Sequence, residues 1–130
     1  MVQKITTATT ALDAIDKINE IIDNLNQSIT SLETSGTIAL SDNSVNSITP
    51  SDDVVFTLPT ITDNTVFHQI LVQINLTTVY DIDLGLGAAP HYFNKTAPDM
   101  TNAGIYNLIY EYDKANQYWV AGVIEKGAAL

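Results

Sequence analysis

The sequence predicts an α+β protein in which an N-terminal coiled-coil helix precedes an all-β sandwich with a jelly-roll-like topology. Two observations predict this fold class. From residue 8 to residue 32 the apolar side chains repeat at heptad spacing, whereas after Gly36 they alternate with polar ones in short runs. We therefore expect an anchor and coiled-coil helix at residues 1–35 and a β-sandwich head domain at residues 36–130.

The N-terminal segment carries an apolar residue at every core position of its heptads. A helix packed on its own domain would need the same stripe, but a chain of 130 residues has room for only one modest core. An intermolecular coiled coil is therefore favoured, and the wide seam that includes Leu12 and Ile21 favours three helices over two. The predicted trimer core consists of Ile15, Ile18, Ile22, Leu25, Ile29 and Leu32. Residues 1–10 are left free to dock elsewhere.

Short runs with a period of two predict the strands of the head domain. Turn residues such as Pro50, Pro59 and Gly85 separate these runs at intervals of about ten residues, a spacing typical of sandwiches and barrels. The longest run is the best candidate for a central strand. The predicted strands are residues 37–40, 44–48, 54–58, 66–76, 78–84, 92–94, 105–112 and 118–124.

The last two predicted strands form a hairpin around residues 113–117, which have the composition of a turn. Residues 105–112 hold apolar side chains on both faces, since Leu108 and Tyr110 alternate with Ile105 and Ile109. One face can fill the core of the protomer, and we expect the other to meet a neighbouring subunit.

Composition excludes several classes of function. The chain has a net charge of −10, and its five basic residues are all lysines, so we expect no nucleic-acid partner. It has no cysteine and therefore no disulfide framework or thiolate chemistry. No apolar run approaches the roughly 20 residues of a membrane span, and residues 1–10 lack the apolar core of a signal peptide. We expect a soluble protein without a membrane partner.

No motif for catalysis, a cofactor or a metal ion stands out. His68 and His91 lack the spacing of a zinc site, and His68 falls in an apolar strand. Asp81 and Asp83 share a strand face, but the further oxygen ligands of a calcium loop are missing. We therefore expect no enzyme activity, no cofactor and no metal.

Aromatic residues near the C-terminus are the remaining candidates for a site. Such rings on a β-surface can stack on sugars, yet they are equally common in cores and subunit interfaces. Both roles stay open at this point. The candidates for ligand or interface contacts are Tyr92, Tyr110, Tyr112, Tyr118 and Trp119.

Three C-terminal segments carry a family resemblance: residues 92–98 (YFNKTAP), 104–112 (GIYNLIYEY) and 118–124 (YWVAGVI). Together with the acidic, cysteine-free composition, they resemble the C-terminal domain of trimeric tailed-bacteriophage fibre proteins, of the head-fibre, capsid-decoration or short tail-fibre type. The resemblance implies a homotrimer located on the virion and attached through its N-terminal end to the capsid or another virion protein. It carries over no receptor-binding residue.

These observations lead to one main functional hypothesis and one alternative. The main hypothesis is a virion structural protein, a homotrimeric head fibre or capsid decoration protein, displayed on the particle surface with a role in attachment to host surface glycans. The short chain favours a head fibre over a long tail fibre. The alternative is a carbohydrate-binding, receptor-binding module of a tail fibre.

Overall fold

The computed structural model describes residues 14–18 and 29–128 of the chain. Within these ranges the fold is mostly β, with 45% of residues in strands and one short helix at residues 14–18. No helix of the described part is long and apolar enough to cross a membrane. The strands are β1 (Ile29–Ser31), β2 (Gly36–Ala39), β3 (Val45–Ile48), β4 (Val54–Thr57), β5 (Gln69–Leu76), β6 (Ile82–Asp83), β7 (His91–Tyr92), β8 (Gly104–Asp113) and β9 (Tyr118–Gly127).

Three successive strand pairs build the body of the fold. Each pair, β1 with β2, β3 with β4 and β5 with β6, gives one strand to each of two sheets. Within a sheet, each strand runs parallel to the equivalent strand of the pair before it. The chain therefore winds as a short coil of parallel strands, as in a solenoid. Sheet one has the order β1-β3-β5-β8-β9-β7, and sheet two has the order β2-β4-β6.

The core lies between the two sheets because each strand buries alternate residues. In β4 the side chains of Val54 and Phe56 are buried, and those of Val55 and Thr57 are exposed. The long β5 buries Ile70 and the three apolar residues at every second position after it. These side chains belong to one hydrophobic cluster that includes residues of both sheets. Each large apolar side chain buried there contributes about 1.5–3 kcal/mol.

Two polar aromatic residues in the core make hydrogen bonds that connect sheet one to the segments that follow β6 and β4 of sheet two. The Tyr110 hydroxyl of β8 donates to the carbonyl oxygen of Leu84, just after β6, at 2.7 Å. The Trp119 Nε1–H of β9 donates to the carbonyl oxygen of Pro59 at 3.1 Å. Both rings therefore fill the core without leaving a buried donor unpaired.

The eight predicted strands are confirmed in position, since each overlaps an observed strand. The C-terminal hairpin is also confirmed: β8 and β9 are antiparallel, and Asp113 pairs with Tyr118 at the turn. The predicted central strand, β5, lies between β3 and β8.

The predicted N-terminal coiled-coil helix is wrong. Ile29, assigned to a heptad core position, lies in β1 and pairs with Val45 of β3. Leu32 follows that strand, and its side chain packs against the hydrophobic core. The physical reason is that a parallel neighbour supplies partners for the backbone of Ile29–Ser31, which overrides a weak local preference for helix.

The other four residues of the predicted helical seam divide into two groups. Ile15 and Ile18 lie in the helix at residues 14–18, with 54% and 55% of their surface exposed. Ile22 and Leu25 lie outside the described residues, as do residues 1–10 with their expected anchor.

The predicted jelly-roll-like topology is wrong as well. A jelly roll is built from antiparallel strands, whereas β1, β3 and β5 are parallel, as are β2, β4 and β6. The predicted domain boundary after residue 35 falls between β1 and β2, so one strand of sheet one precedes it.

Candidate functional site

The surface of sheet one that faces away from sheet two, here called the outer face, carries two distinct regions. The alternation of β8 directs Tyr106, Leu108 and Tyr110 into the core, so Ile109 and Glu111 lie on the outer face. An apolar region crosses β1, β3, β5 and β8, and an aromatic cleft lies at the β8, β9 and β7 end. Both regions are candidates for binding.

The aromatic cleft is an open cavity of about 650 Å³. Its size is in the range of small-molecule binding sites. Rings occupy most of its wall, and three charged side chains stand among them. Its main lining residues are His91, Tyr92, Phe93, Lys95, Glu111, Tyr112, Asp113 and Tyr118.

Strand pairing brings together parts of the cleft that are distant in sequence. The short β7 runs parallel to β9, which places His91 beside Val120. The hairpin then places Glu111 beside Val120 from the other side. Residues from two separate segments therefore converge because β7 lies at the edge of sheet one next to β9.

His91 and Tyr118 form a parallel stack within the cleft. Their ring centroids are 3.6 Å apart, and their planes differ by 7°. Tyr112 pairs with Trp119, and its ring lies on the core side of sheet one, in edge contact with Trp119 at 5.4 Å and with His68 at 5.9 Å. Of these rings, the stacked pair of His91 and Tyr118 is therefore the one that is oriented in the cleft before any ligand arrives.

Asp113 lies in the cleft, but its carboxylate is occupied by the hairpin turn. One oxygen accepts hydrogen bonds from the backbone N–H groups of Ala115 and Asn116, at 3.0 and 3.1 Å, and the other accepts one from the Asn116 side chain at 3.0 Å. The bonds from Asn116 lower the pKa of Asp113 below its ordinary value, and the bond from Ala115 and the charge of His91 lower it further. Asp113 is therefore a fixed negative charge that shapes the turn.

Other polar groups of the cleft have no such partner. Within the described residues, the Glu111 carboxylate and the Tyr118 hydroxyl group make no hydrogen bond. Both residues are only half-buried. These groups can therefore accept and donate hydrogen bonds to a ligand.

The five predicted aromatic residues separate into two sets. Tyr118 faces the cleft, whereas Tyr92 and Tyr112 border it and pack their side chains against the hydrophobic core. Tyr110 and Trp119 are core residues, with 0% and 9% of their surface exposed. The sequence allowed core and surface roles for all of them, and only the fold assigns a role to each.

The sequence did not identify Glu111 and Lys95 as members of a site. Lys95 reaches the cleft through a turn in which its backbone N–H donates to the carbonyl oxygen of Tyr92 at 3.1 Å and its φ is +60°. Neither residue belongs to a recognisable motif. The one usable signal was the alternation of 105–112, which placed Glu111 opposite the core.

The apolar region of the outer face is a register-aligned row of four residues. Ile29, Val45, Leu71 and Ile109 occupy neighbouring positions on β1, β3, β5 and β8. We call them the outer apolar row. The groove along it has a volume of about 580 Å³. At its far end Ile109 pairs with Gly122.

Phe93 separates the row from the aromatic cleft. A Cβ placed on Gly122 would lie 2.6 Å from Phe93 Cδ2, so the phenyl ring covers this glycine on the outer face. The absence of a side chain at position 122 is what allows the ring to lie there. The two regions are therefore adjacent but distinct.

His68 is a structural residue and lacks the free nitrogen of an acid–base catalyst. It is 5% exposed, and its ring nitrogens contact Asp42 Oδ2 and the Asp63 carbonyl oxygen at 2.5 and 2.6 Å. Within residues 14–18 and 29–128, no group of three or more histidine, cysteine, aspartate or glutamate side chains is arranged to hold a metal ion. Asp83, half of the predicted acidic pair, accepts a hydrogen bond from Gly85 N–H at 2.8 Å.

Comparisons with protein-family models, with characterised proteins and with solved structures found no match for this chain.

Proposed function

We propose that this chain is a structural protein of a bacteriophage particle that assembles as a homo-oligomer and is displayed on the particle surface. The resemblance of residues 92–98, 104–112 and 118–124 to bacteriophage fibre proteins supports the particle location and a count of three copies. The observation that carries the proposal of self-assembly is the outer apolar row. The proposal assigns the protein no catalytic activity.

The outer apolar row leaves large aliphatic side chains on the described surface. Ile29 is 64% exposed, and Ile124, on the next row of the outer face, is 62% exposed. That next row pairs Ser31, Ser47, Gln73 and Asn107 in register, and it ends at Ile124. Contiguous apolar patches on a protein surface usually mark sites where another molecule binds.

The absence of charge from these two rows favours a second copy of the chain as the partner. The chain has 15 acidic and five basic residues, yet neither row contains one. Two copies that each carry a net charge of −10 repel each other, and a contact surface without acidic residues keeps this repulsion smallest. A basic partner would instead be matched by carboxylates on this surface.

The size of the surface is compatible with such an interface. Five strands spaced about 4.8 Å apart span roughly 24 Å, and the two rows extend roughly 13 Å along strands as short as the four residues of β3, so they cover about 300 Å². A standard specific interface buries about 800 Å² per partner. The two rows therefore supply the centre of an interface, and contacts around them would complete it.

Light scattering coupled to size-exclusion chromatography tests the assembly. The wild-type chain is expected to elute with three times the protomer mass of 14.1 kDa. Leu71→Glu and Ile109→Glu, in the centre of the row, are expected to give the protomer mass, because an unpaired carboxylate buried in an interface costs several kcal/mol.

Val55→Glu is the matched control. Val55 is an aliphatic strand residue that is 40% exposed on sheet two, away from the outer face. This variant should keep the wild-type mass, and circular dichroism should show that all three variants are folded. A monomeric wild type, or a Leu71→Glu chain with the wild-type mass, would contradict the proposal.

A further inference from the structure

The aromatic cleft combines flat apolar surfaces with unused hydrogen-bonding groups. The stack of His91 and Tyr118, together with the ring of Phe93, provides the flat surfaces. The negatively polarised face of an aromatic ring attracts C–H groups that carry a partial positive charge. A ligand with one apolar C–H face and a rim of polar groups would match such a wall.

The hydrogen-bonding groups of the cleft point to hydroxyl groups on the ligand. The Glu111 carboxylate is an acceptor without a partner in the described part of the chain, and the Tyr118 hydroxyl group is both a donor and an acceptor. Lys95 contributes a donor at the rim. A ligand with several hydroxyl groups can satisfy all of these at once.

The charges of the cleft argue against other ligand classes. Glu111 and Asp113 outnumber Lys95, and the whole chain is strongly acidic, so phosphates and acidic sugars are disfavoured. A divalent cation is disfavoured because the Asp113 oxygens already accept hydrogen bonds from Ala115 and Asn116, which leaves Glu111 as the single available carboxylate. A neutral molecule with many hydroxyl groups remains.

We propose that the aromatic cleft binds a neutral pyranose unit of a polysaccharide. The sugar ring packs its C–H face against the rings of Tyr118 and Phe93, and Glu111 accepts hydrogen bonds from its hydroxyl groups. The fixed stack of Tyr118 on His91 lowers the entropic cost of binding, since these rings are already oriented. The inference goes beyond self-assembly, because it concerns a separate region of the outer face.

Nuclear magnetic resonance titration of the isotope-labelled full chain tests this assignment. The probes are the methyl pyranosides of glucose, galactose, mannose and N-acetylglucosamine. At least one of them is expected to bind with a dissociation constant in the millimolar range and to shift the backbone amide signals of His91, Glu111 and Tyr118.

Two variants identify the binding groups. Glu111→Gln keeps the shape of the side chain and removes its charge, and it should weaken binding about tenfold, since hydrogen bonds to charged groups are stronger than neutral ones. Tyr118→Ala removes a ring from the wall and should weaken binding by about the same factor or more. Unchanged binding in Glu111→Gln would overturn the assigned role even if Tyr118→Ala failed to fold.

Matched controls lie outside the cleft. Phe67→Ala removes an aromatic side chain that is 53% exposed, and Glu125→Gln neutralises an exposed carboxylate of β9. Both should bind the probes as the wild type does. Absence of binding by all four pyranosides, or an equal loss of binding in Phe67→Ala, would overturn the proposal.

The same titration on Leu71→Glu keeps this inference separate from the proposed assembly. Sugar binding by a monomeric Leu71→Glu chain would support the cleft and the interface independently. If the wild-type chain binds a sugar but is monomeric, only the proposed assembly is contradicted. If it is a trimer but binds none of the four sugars, only the proposed sugar site is contradicted.

Discussion

The Nδ1 atom of His68 lies 2.5 Å from the Oδ2 atom of Asp42, and its other ring nitrogen lies 2.6 Å from the carbonyl oxygen of Asp63. A carbonyl oxygen and an ionised carboxylate are both acceptors, so this arrangement favours the imidazolium form, in which both ring nitrogens carry a proton. It bridges the loop before β3 and the loop before β5. The other Asp42 oxygen is buried and has no hydrogen-bond partner within the described residues. His68 is therefore the hydrogen-bond partner of this carboxylate within the described residues.

This bridge predicts a loss of stability as the pH rises. The hydrogen bond to the Asp63 carbonyl raises the pKa of His68 above 6.5; burial opposes this rise, and the Asp42 carboxylate adds to it. The folded state thus holds the proton more tightly than the unfolded chain. Its contribution to stability is complete below pH 6.5 and is lost as the pH rises through the higher pKa of the folded state.

Urea unfolding at one fixed protein concentration, between about pH 5.5 and 8.5, measures this effect. The midpoint should fall with rising pH in the wild type and in His91→Gln. In His68→Gln the fall should disappear, and the midpoint should be low throughout. A wild-type midpoint that stays constant or rises over this range would contradict the ionised bridge.

Gly85 predicts a large difference between two glycine substitutions. Its φ is +77°, and a Cβ at this position would lie 2.1 Å from the carbonyl oxygen of Phe56. Gly85→Ala should therefore cost about 1 kcal/mol for the backbone conformation and a further 1–3 kcal/mol for displacing β4. Gly87 has a φ of +78° with no atom within 4 Å of its Cβ position.

Gly87→Ala is thus a control for the backbone term alone and should cost about 1 kcal/mol. The free energies of unfolding of both variants, measured with urea, give the comparison. Equal losses in the two variants would show that the close approach to Phe56 has no energetic effect.

Much of the strand pattern could be predicted because it depends on local alternation. Ile70 and every second residue after it are apolar, and a strand is the structure that buries such a series on one face. The prediction for Ile29 was wrong because, over so few residues, heptad spacing and strand spacing account for the apolar side chains equally well. Its true partners, Val45 and Leu71, are distant in sequence. Parallel pairing of this kind leaves no local signal.

The cleft was predictable only in its components. The sequence identified Tyr92 and Tyr118 as candidates, but the pairing of β7 with β9 that joins them is not between consecutive strands. Trp119 and Tyr118 are adjacent in sequence and point to opposite faces, which separates a core residue from a cleft residue. Glu111 carried no motif. Long-range strand order therefore decides the site.

Asn46 predicts the effect of placing a carboxylate in the core. Its side chain is 3% exposed and donates hydrogen bonds to Ser44 Oγ at 2.9 Å and to the Leu71 carbonyl oxygen at 3.0 Å. Asn46→Asp replaces these donors with a buried charge that faces a carbonyl oxygen. The variant should lose about 3–5 kcal/mol at neutral pH. It should recover stability in acid, because burial raises the pKa of such a carboxyl group and the folded state then binds the proton more tightly.

The control for this substitution is Asn102→Asp in the loop before β8, where the side chain is exposed and lies outside the proposed interface. Its effect should be within about 0.5 kcal/mol, as for most surface changes. Urea unfolding at neutral and acidic pH distinguishes the two variants. Similar stabilities for both would argue against the donor role of Asn46.

Removing the hydroxyl group of Tyr110 should lower the stability of the fold, whereas removing that of Tyr118 should have little effect on stability. The Tyr110 hydroxyl is fully buried and donates to the Leu84 carbonyl oxygen at 2.7 Å, and burial raises the pKa of this phenol well above its ordinary value. Tyr110→Phe leaves that carbonyl without this donor and should cost about 1.5 kcal/mol. The Tyr118 hydroxyl makes no hydrogen bond within the described residues, so Tyr118→Phe should change stability by less than about 0.5 kcal/mol. Urea unfolding of the two variants at the same protein concentration measures this difference. A larger loss of unfolding free energy in Tyr118→Phe than in Tyr110→Phe would contradict the assignment of Tyr110 to the core and Tyr118 to the cleft.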